Sequence, residues 1–362
     1  NGNVEREEYM EGIYVGYRYF DTFAVPVRYC FGYGLSYTDF AIEVLGIEHF
    51  DLGTQDPEIG VKGKVTNTGE RYTGREVVQL YVSCPQGSLD KEYRRLVGFH
   101  KTGSLAPGAS EETTIRFAVR AMASYHEGRS AWILEGGRYG IFVGNSLENA
   151  SFRALIEMDG EAVLMETEHI CPLQGHLEEL RGNAEQLEAR RNEWLKDAEG
   201  MPEITIHHFD IRKREVSYER NFHDIPDEAA AFVDRLETEQ LILLVTGDIS
   251  KAQGSNIGAA GNSVPGSAAQ TSGCAAGQGL AAIVLADGPA GLRLNKTYQA
   301  VDGKPMSMPF EMAIEDGYFA RGSIDQRGET YYQYCTAIPV GTVLAQSWDT
   351  QIIRECGRAV AQ

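Results

Sequence analysis

Residues 280–294 read LAAIVLADGPAGLRL, an apolar run that ends at a carboxylate and a glycine-rich turn. The run 280–286 is too short for an ordinary helix and is typical of a strand buried on both faces of an α/β sheet. Asp287 follows this run and precedes the turn 288–291. Barrel enzymes carry their sites at the carboxyl ends of such strands. Asp287 is therefore either a ligand-binding carboxylate or a side chain that caps the turn, and the local pattern favours neither.

Composition limits the class of the protein. With 362 residues, 43% hydrophobic and 23% charged, the chain is expected to form two or three globular domains. No apolar run approaches the ~20 residues that span a bilayer. The 52 Asp and Glu residues exceed the 33 Lys and Arg residues, which gives a formal net charge of −19. Because an acidic chain repels phosphate backbones, we expect no nucleic-acid partner. Because no apolar run is long enough to span a bilayer, we expect no membrane partner.

The spacing of cysteine and histidine predicts neither disulfides nor a metal site. Six cysteines lie far apart in the sequence, without a C-x-x-C pair or a Cys/His cluster of zinc-binding spacing. We therefore expect reduced thiols and a non-oxidising, cytoplasmic compartment, and no cofactor is predicted. His207 and His208 are adjacent, but adjacent strand residues point to opposite faces, so they are not expected to share an ion.

Residues 1–40 are rich in aromatic side chains. Seven tyrosines are interspersed with turn glycines, and the alternation at 13–19 predicts an extended segment. The rings either stack on the apolar faces of a sugar or pack within the protein, and both interpretations stay open here. Because the segment is too short to fold alone, we predict that it is the C-terminal tail of a domain that begins upstream.

Residues 41–158 have the pattern of an antiparallel β-sandwich. Turn signals separate seven short runs with strand character, at 41–49, 59–66, 75–83, 94–100, 112–119, 138–143 and 151–158. The turn 67–69 between the second and third runs is typical of a hairpin. Trp132 and Tyr139 are expected in the core. No catalytic pair is predicted in this domain.

The rest of the chain divides into a connector, 159–235, and an α/β region, 236–362. The connector contains an amphipathic helix predicted at 177–198. A second helix is predicted at 227–245, across the boundary between the two. The glycine-rich stretch 254–279 is expected to form a loop at the rim of a site.

The end of the chain predicts a further strand and a further helix. The strand is predicted at 337–341, and the helix follows Asp349, whose side chain is expected to cap it. Because the apolar spacing of this helix still continues at Gln362, we expect the chain to be part of a longer protein.

Six longer motifs carry a resemblance to a known family. GIYVGYRYFDT and FGYGLSYT stand in residues 1–40, and KVTNTGERYTGREVVQLYVS and WILEGGRYGIFVG stand in 41–158. LADGPAGLRL and IPVGTVLAQSWD stand in 236–362. In this order they resemble the end of an α/β sandwich domain, a fibronectin type III-like domain and the start of a (β/α)8 barrel. Domain-reversed bacterial members of glycoside hydrolase family 3, β-glucosidase branch, have this arrangement.

The resemblance implies a set of site residues. Such retaining glycosidases use two carboxylates, one as nucleophile and one as acid/base. By resemblance the nucleophile lies beyond Gln362 and the acid/base residue before Asn1, so no catalytic residue is predicted within the chain. Asp287 matches the aspartate that binds hydroxyls of the sugar to be cleaved, a task that suits ionised oxygens. Arg293 is expected to be structural, pairing with a carboxylate.

The implied function is removal of β-linked glucose from the non-reducing end of a β-glucoside or a short β-linked oligosaccharide. One alternative is a β-xylosidase or another exo-glycosidase of the same family, because the motif around Asp287 does not identify the sugar. The other is a non-catalytic carbohydrate-binding or scaffold protein built on the sandwich. The sequence leaves the oligomeric state open.

Overall fold

A computed structural model of the protein describes residues 7–216, 225–246, 264–306 and 328–362. The chain divides into two compact units, residues 1–218 and 219–362. Together they form an all-β domain followed by an α/β region. Among the described residues, no helix combines the length and the apolar character needed to cross a membrane.

The first unit is built mainly from strands. Its strands are β1 (Phe40–Phe50), β2 (Glu58–Asn67), β3 (Val77–Ser83), β4 (Arg95–Lys101), β5 (Ser110–Ala118), β6 (Ser124–His126), β7 (Ala131–Leu134), β8 (Gly137–Gly144), β9 (Ser151–Met158), β10 (Ala162–Glu166) and β11 (Glu203–Ile206). Its helices are α1 (Tyr17–Thr22) and α2 (Ala184–Leu195). All seven runs predicted as strands are confirmed.

Three sheets make up this unit, with strand orders β1-β2-β5, β11-β9-β8-β3-β4 and β10-β7-β6. Strand β2 shows why they pack together: Val61 and Val65 are buried, whereas Lys62 between them is exposed. Apolar side chains from the sheets form one core, in which Ile59, Leu80 and Val82 are fully buried. Alternation along each strand thus produces the buried face that holds the sandwich together.

The turn after β2 does not form the predicted hairpin. Strand β2 pairs with β1 and β5, whereas β3 pairs with β4 and β8, so the chain crosses between sheets. The buried side chain of Asn67 stabilises this crossing. Its Nδ2 donates to the carbonyl oxygens of Tyr72 at 2.9 Å and Leu105 at 2.8 Å, and its Oδ1 accepts from Gly69 N at 3.0 Å. These bonds replace the strand pairing of a hairpin.

Two further sequence expectations for the sandwich have different outcomes. Tyr139 is fully buried, as expected, and its hydroxyl donates to the Glu135 carbonyl oxygen at 2.6 Å. Trp132 was expected in the core, but 39% of its surface is exposed. The reason is its position on β7, where the adjacent Ala131 and Ile133 point into the core and Trp132 points away.

The N-terminal segment is only partly extended. Residues 17–22, which include part of the predicted extended segment 13–19, form helix α1. Gly12 and Gly16 have positive φ angles of 51° and 61°, which interrupt an extended path and allow the chain to turn into the helix. Tyr17 then stacks on Phe31 with ring centroids 4.4 Å apart, and its hydroxyl accepts from Leu96 N at 2.7 Å.

Helix α2 is shorter than predicted. It begins after Asn183, whose side chain accepts from Gln186 N, and not at 177. Its buried residues Leu187, Arg191 and Trp194 follow helical spacing and face the sheet. Leu187 and Trp194 belong to a second apolar cluster with residues such as Phe142 and Phe152. The connector therefore packs on the sandwich.

The described part of the second unit has shorter elements. Its helices are α3 (Asp227–Val233), α4 (Thr238–Thr246), α5 (Gly341–Gln346) and α6 (Thr350–Ala361). Its strands are β12 (Ala269–Gln270), β13 (Val284–Leu285), β14 (Thr297–Val301), β15 (Lys304–Pro305) and β16 (Glu329–Tyr332). Strand β12 pairs with β13, and β14 pairs with β15 and β16, in each case antiparallel.

The prediction of a buried strand at 280–286 is wrong. Only Val284–Leu285 is a strand, and Ile283 and Leu285 expose 64% and 52% of their surface. A strand buried on both faces needs paired neighbours at both edges and layers that cover it. In the described residues β13 has one short antiparallel partner, so the apolar run stays exposed.

Other predictions for this unit are corrected or confirmed by local structure. The helix predicted at 227–245 is two helices, and the strand predicted at 337–341 is coil that leads into α5. The Asp349 cap is confirmed: its Oδ1 accepts from Gln351 N at 3.1 Å and Ile352 N at 3.2 Å. The glycine-rich stretch 254–279 lies outside the described residues as far as 263.

Candidate functional site

Asp287 lies on the surface two residues beyond β13, and its side chain is 65% exposed. The carboxylate pairs with Arg293, whose Nη2 lies 3.3 Å from Oδ2. Arg293 also donates its backbone N–H to the Asp287 carbonyl oxygen at 2.8 Å. The expected pairing of Arg293 with a carboxylate is thus confirmed, and the two bonds close the loop 287–293 into a fixed turn.

The backbone of this turn depends on its glycines. Gly291 has a φ of 103°, a left-handed conformation that strains other residues. A Cβ atom on Gly291 would meet the Thr336 carbonyl oxygen and lie 3.1 Å from the Cα of Ala337. Ile338 N donates to the Ala290 carbonyl oxygen at 2.9 Å. The segment before α5 therefore packs on the turn, and two of the motifs that carried the resemblance contact each other.

A cleft of about 290 Å³ opens along the turn that follows Asp287, and its lining begins at the next residue, Gly288. Its walls are the turn itself and the segment after β16, which includes Tyr334 and Cys335. Within the described residues the hydrogen bonds to the Asp287 carboxylate come from Arg293, and no backbone N–H donates to it. A carboxylate in this setting can accept bonds from hydroxyl groups of a ligand while the guanidinium balances its charge.

The comparisons with known proteins agree with the resemblance. The family described as the fibronectin type III-like domain matches residues 76–147. The β-glucosidase of Ruminococcus albus is 30% identical over 346 residues, which is 90% of this chain and 34% of that protein. β-Glucosidase A of Butyrivibrio fibrisolvens is 42% identical over 161 residues, covering 39% of this chain and 19% of that protein.

A solved structure extends the likeness to the whole chain. The β-glucosidase from Paenibacillus barengoltzii has a TM-score of 0.66 and 30% identity, and covers 98% of this chain and 36% of its own. The resemblance to family 3 β-glucosidases is confirmed. The chain spans about a third of the length of the Ruminococcus relative, although 90% of the chain itself is aligned.

His207 and His208 do not point to opposite faces of a strand, as expected from the sequence, but to the same carboxylate. Strand β11 ends at Ile206, so His207 and His208 do not alternate as strand residues. Both Nδ1 atoms bond to Asp159, at 2.7 Å and 3.0 Å, and His208 N donates to the same carboxylate at 2.8 Å. The His208 backbone bond and the two rings hold the pKa of Asp159 well below its usual range.

The convergence on Asp159 does not make a metal centre. Within the described residues, no group of three or more His, Cys, Asp or Glu side chains could hold an ion. The six thiols are free, and of these Cys84 is buried.

Sequence reasoning missed the surface around Trp132, because alternation in a four-residue strand is too short to tell which face is buried.

Proposed function

We propose that this chain is part of a retaining glycoside hydrolase that removes β-linked glucose from the non-reducing end of β-glucosides. One observation carries the proposal: a protein named β-glucosidase aligns with 90% of the chain at 30% identity. Neither unit makes up 90% of the chain, so the alignment includes parts of both units and the similarity is not limited to the fibronectin type III-like domain. β-Glucosides and short β-linked gluco-oligosaccharides are the substrates that this function implies.

The domain assignment is part of the proposal. Residues 1–40 end an α/β sandwich domain, 41–158 form the fibronectin type III-like domain, and 159–235 connect it to the next domain. Residues 236–362 begin a (β/α)8 barrel. The closed turn 287–293 supports this last assignment, because loops that follow barrel strands carry the active sites of such enzymes.

Asp287 binds hydroxyl groups of the sugar in the subsite that is cleaved. Its exposure, the cleft that begins at the next residue and the absence of a backbone donor among its described partners support a ligand-binding carboxylate over a turn cap. Arg293 holds the carboxylate in place from the other side of the turn. We assign Arg293 a positioning role because both its guanidinium and its backbone N–H bond to Asp287.

The bond-breaking groups are a separate pair of carboxylates. In a retaining mechanism one carboxylate attacks the anomeric carbon to form a glycosyl-enzyme, and the other protonates the departing oxygen and then activates water. By resemblance neither group belongs to residues 1–362.

The six free thiols favour a non-oxidising compartment such as the cytoplasm.

The test is an assay of the complete protein on a matched panel of p-nitrophenyl glycosides. We expect the highest kcat/KM with the β-glucoside, a lower value with the β-xyloside, and no turnover of the α-glucoside. Proton NMR early in the reaction should show the β-anomer of glucose, because two successive inversions retain the configuration. Absence of turnover with every β-glycoside would refute the proposal. Preference for the β-xyloside would instead identify the protein as a β-xylosidase.

A further inference from the structure

A cleft of about 770 Å³ lies within the first unit, between the N-terminal segment, strands β6 and β7, and the segment before α2. Its volume falls in the range of about 300–1,000 Å³ that is usual for small-ligand sites. None of its residues takes part in the site around Asp287.

One wall of this cleft is aromatic. Trp132 on β7 and Tyr125 on β6 are directly opposite each other in the strand register, and their ring centroids are 5.4 Å apart. Trp132 keeps 39% of its surface exposed, although Ala131 and Ile133 beside it are each only 1% exposed. An exposed indole next to a tyrosine gives an apolar platform with hydrogen-bonding edges, a combination enriched at binding surfaces.

The floor beside this platform is polar and rigid. Glu92 is 3% exposed and is held by Arg95, whose Nε lies 2.8 Å from Oε1 and whose Nη2 lies 2.9 Å from Oε2. Arg95 also donates to the Ala123 carbonyl oxygen at 2.7 Å and to Ser124 Oγ at 3.3 Å. Because Ser124 precedes Tyr125, this buried ion pair fixes the strand that carries the tyrosine ring.

Arg18 offers hydrogen-bond donors to a ligand at the same floor. Its side chain is 43% exposed, and its Nε lies 3.7 Å from Glu92 Oε1. At this distance the two groups form an ion pair but no hydrogen bond. Its guanidinium donors are therefore available to hydroxyl groups in the cleft.

Charge indicates the class of ligand. Among the described residues, four arginines and four carboxylates line the cleft, so their formal charges cancel, whereas the whole chain carries −19. A neutral lining does not select a phosphate or a charged peptide. A flat apolar wall beside fixed polar groups suits a sugar chain, because a pyranose presents C–H groups on its face and hydroxyls at its edge.

We propose that the Trp132–Tyr125 platform and the Arg18–Glu92–Arg95 floor form a binding site for a β-linked gluco-oligosaccharide. The choice of glucose rests on the proposed function, whereas the choice of a neutral oligosaccharide rests on the cleft. The role assigned to the site is binding, because the platform contributes stacking and the buried Glu92 carboxylate of the floor is paired with Arg95.

Binding is tested on the 362-residue chain by isothermal titration calorimetry with cellotetraose and laminaritetraose. Every variant also carries D287N, so that sugar bound through Asp287 does not contribute. We expect W132A to weaken binding by roughly 30-fold, as for a central aromatic contact, and Y125A by about 10-fold. W132F keeps a ring and should lose less affinity than W132A. F99A is the matched control, because Phe99 on β4 is 38% exposed and does not line the cleft.

Two results would overturn the inference. One is that neither tetrasaccharide binds the D287N chain with an intact Trp132. The other is that W132A and F99A bind equally well while both retain the melting temperature of the D287N chain. If W132A does not fold, W132F and Y125A are compared with F99A in the same way, and equal affinities would again overturn the inference. The calorimetry measures binding and not turnover. Its result can therefore be interpreted even if the complete protein hydrolyses no β-glucoside.

Discussion

The indole ring of Trp194 on α2 fills the space beside Gly140 on β8 that a side chain would need. A Cβ atom built on Gly140 would lie 2.7 Å from the nearest ring carbon, and two other ring carbons lie at 2.9 Å. This contact joins the connector helix to the central sheet, and it requires a residue without a side chain at position 140.

Gly140→Ala should therefore destabilise the chain. An indole ring is rigid, so the added methyl group forces the helix or the strand to shift, at a cost of about 1–3 kcal/mol in unfolding free energy. Urea unfolding followed by circular dichroism measures the change. Gly46→Ala is the matched control, because Gly46 on β1 has nothing within 4 Å of its added Cβ. A loss of stability in Gly46→Ala equal to that in Gly140→Ala would count against the steric explanation.

The buried pair of Lys91 and Glu135 should have a large effect on stability. The Lys91 side chain is 2% exposed and pairs with Glu135, which also accepts from Ser88 N at 2.6 Å and Ser88 Oγ at 2.7 Å. Glu135→Gln leaves a buried ammonium without its counter-charge. We expect a loss of roughly 3 kcal/mol, the lower end for a broken buried pair, because Glu135 keeps some contact with solvent.

The same variant should show a defined pH dependence. Burial by itself raises the Glu135 pKa, but the bonds from Lys91 and Ser88 outweigh burial and the pKa lies below its ordinary value. A carboxyl group with a lowered pKa contributes stability that is present above about pH 4.3 and is lost as the pH falls further. The difference between wild type and variant should thus stay constant from pH 7 to 5 and shrink below about pH 4.

Glu157→Gln provides the surface control for this series. Glu157 pairs with Arg138 at 3.3 Å, and the two side chains are 38% and 52% exposed. Exposed pairs contribute at most about 1 kcal/mol, so this variant should unfold almost like wild type. A Glu135→Gln curve that coincides with the Glu157→Gln curve at pH 7 would show that the buried pair is not important.

The parts of the chain should differ in their ability to fold alone. We expect residues 41–158 to fold as a β-sandwich, but with less stability than residues 1–218. Removing α2 uncovers Phe142 and Phe152 and takes away Leu187 and Trp194, at a cost of roughly 3 kcal/mol or more. Urea unfolding of the two pieces compares them directly, and equal midpoints would disagree with a structural role for the connector.

Residues 236–362 should not unfold cooperatively as a monomer. If they begin a (β/α)8 barrel, they hold about half of the ~250 residues that a complete barrel needs. Ile283, which precedes β13, and Leu285 within β13 are exposed, which is consistent with an apolar surface that requires further neighbours. A sharp, concentration-independent calorimetric transition in this piece would contradict the barrel assignment.

The sandwich could be predicted from the sequence because its signals are local. Val61, Lys62 and Val65 alternate within one strand, so the buried face is visible before any partner is known. The pairing of Arg293 with a carboxylate was also predictable, since the glycine-rich turn brings residues six positions apart together.

Other features depend on distant contacts and could not be predicted. The apolar run 280–286 indicates a buried strand only if other strands and helices cover it, and that covering is not encoded in the run itself. Trp132 is a residue type common in cores, but on β7 it points to the face opposite that of the buried Ala131 and Ile133. His207 and His208 both reach Asp159 because β11 ends at Ile206, one residue before His207. Periodicity does not resolve a strand boundary to one residue.

The 362-residue chain should be catalytically inert although it belongs to the proposed hydrolase. Both bond-breaking carboxylates are assigned to positions outside it, and a sugar bound at Asp287 would meet no nucleophile. We expect p-nitrophenyl β-glucoside hydrolysis no faster than that of a mock purification from the same host. Turnover that co-purifies with the chain and disappears in Asp287→Asn would mean that the catalytic groups are misplaced.

The role of Asp287 can be decided in the complete protein by Asp287→Asn, which preserves size but removes the charge. If the carboxylate binds sugar hydroxyls, one acceptor oxygen becomes a donor and charge-assisted bonds of about 1.5–3 kcal/mol each are lost. We expect kcat/KM to fall roughly 10- to 1,000-fold.

Stability separates this role from that of a turn cap. An Asp287→Asn variant should keep its melting temperature within about 2 °C, because the side chain is 65% exposed and its ion pair with Arg293 is a surface pair. Arg293→Lys is the companion variant: it keeps the positive charge but loses the planar guanidinium, so it should weaken kcat/KM less than Asp287→Asn. If Asp287 only capped the turn, Asn would replace it with nearly unchanged kinetics and a small loss of stability. The decisive result is therefore the pair of measurements on one variant, and unchanged kcat/KM with a lowered melting temperature would exclude sugar binding by Asp287.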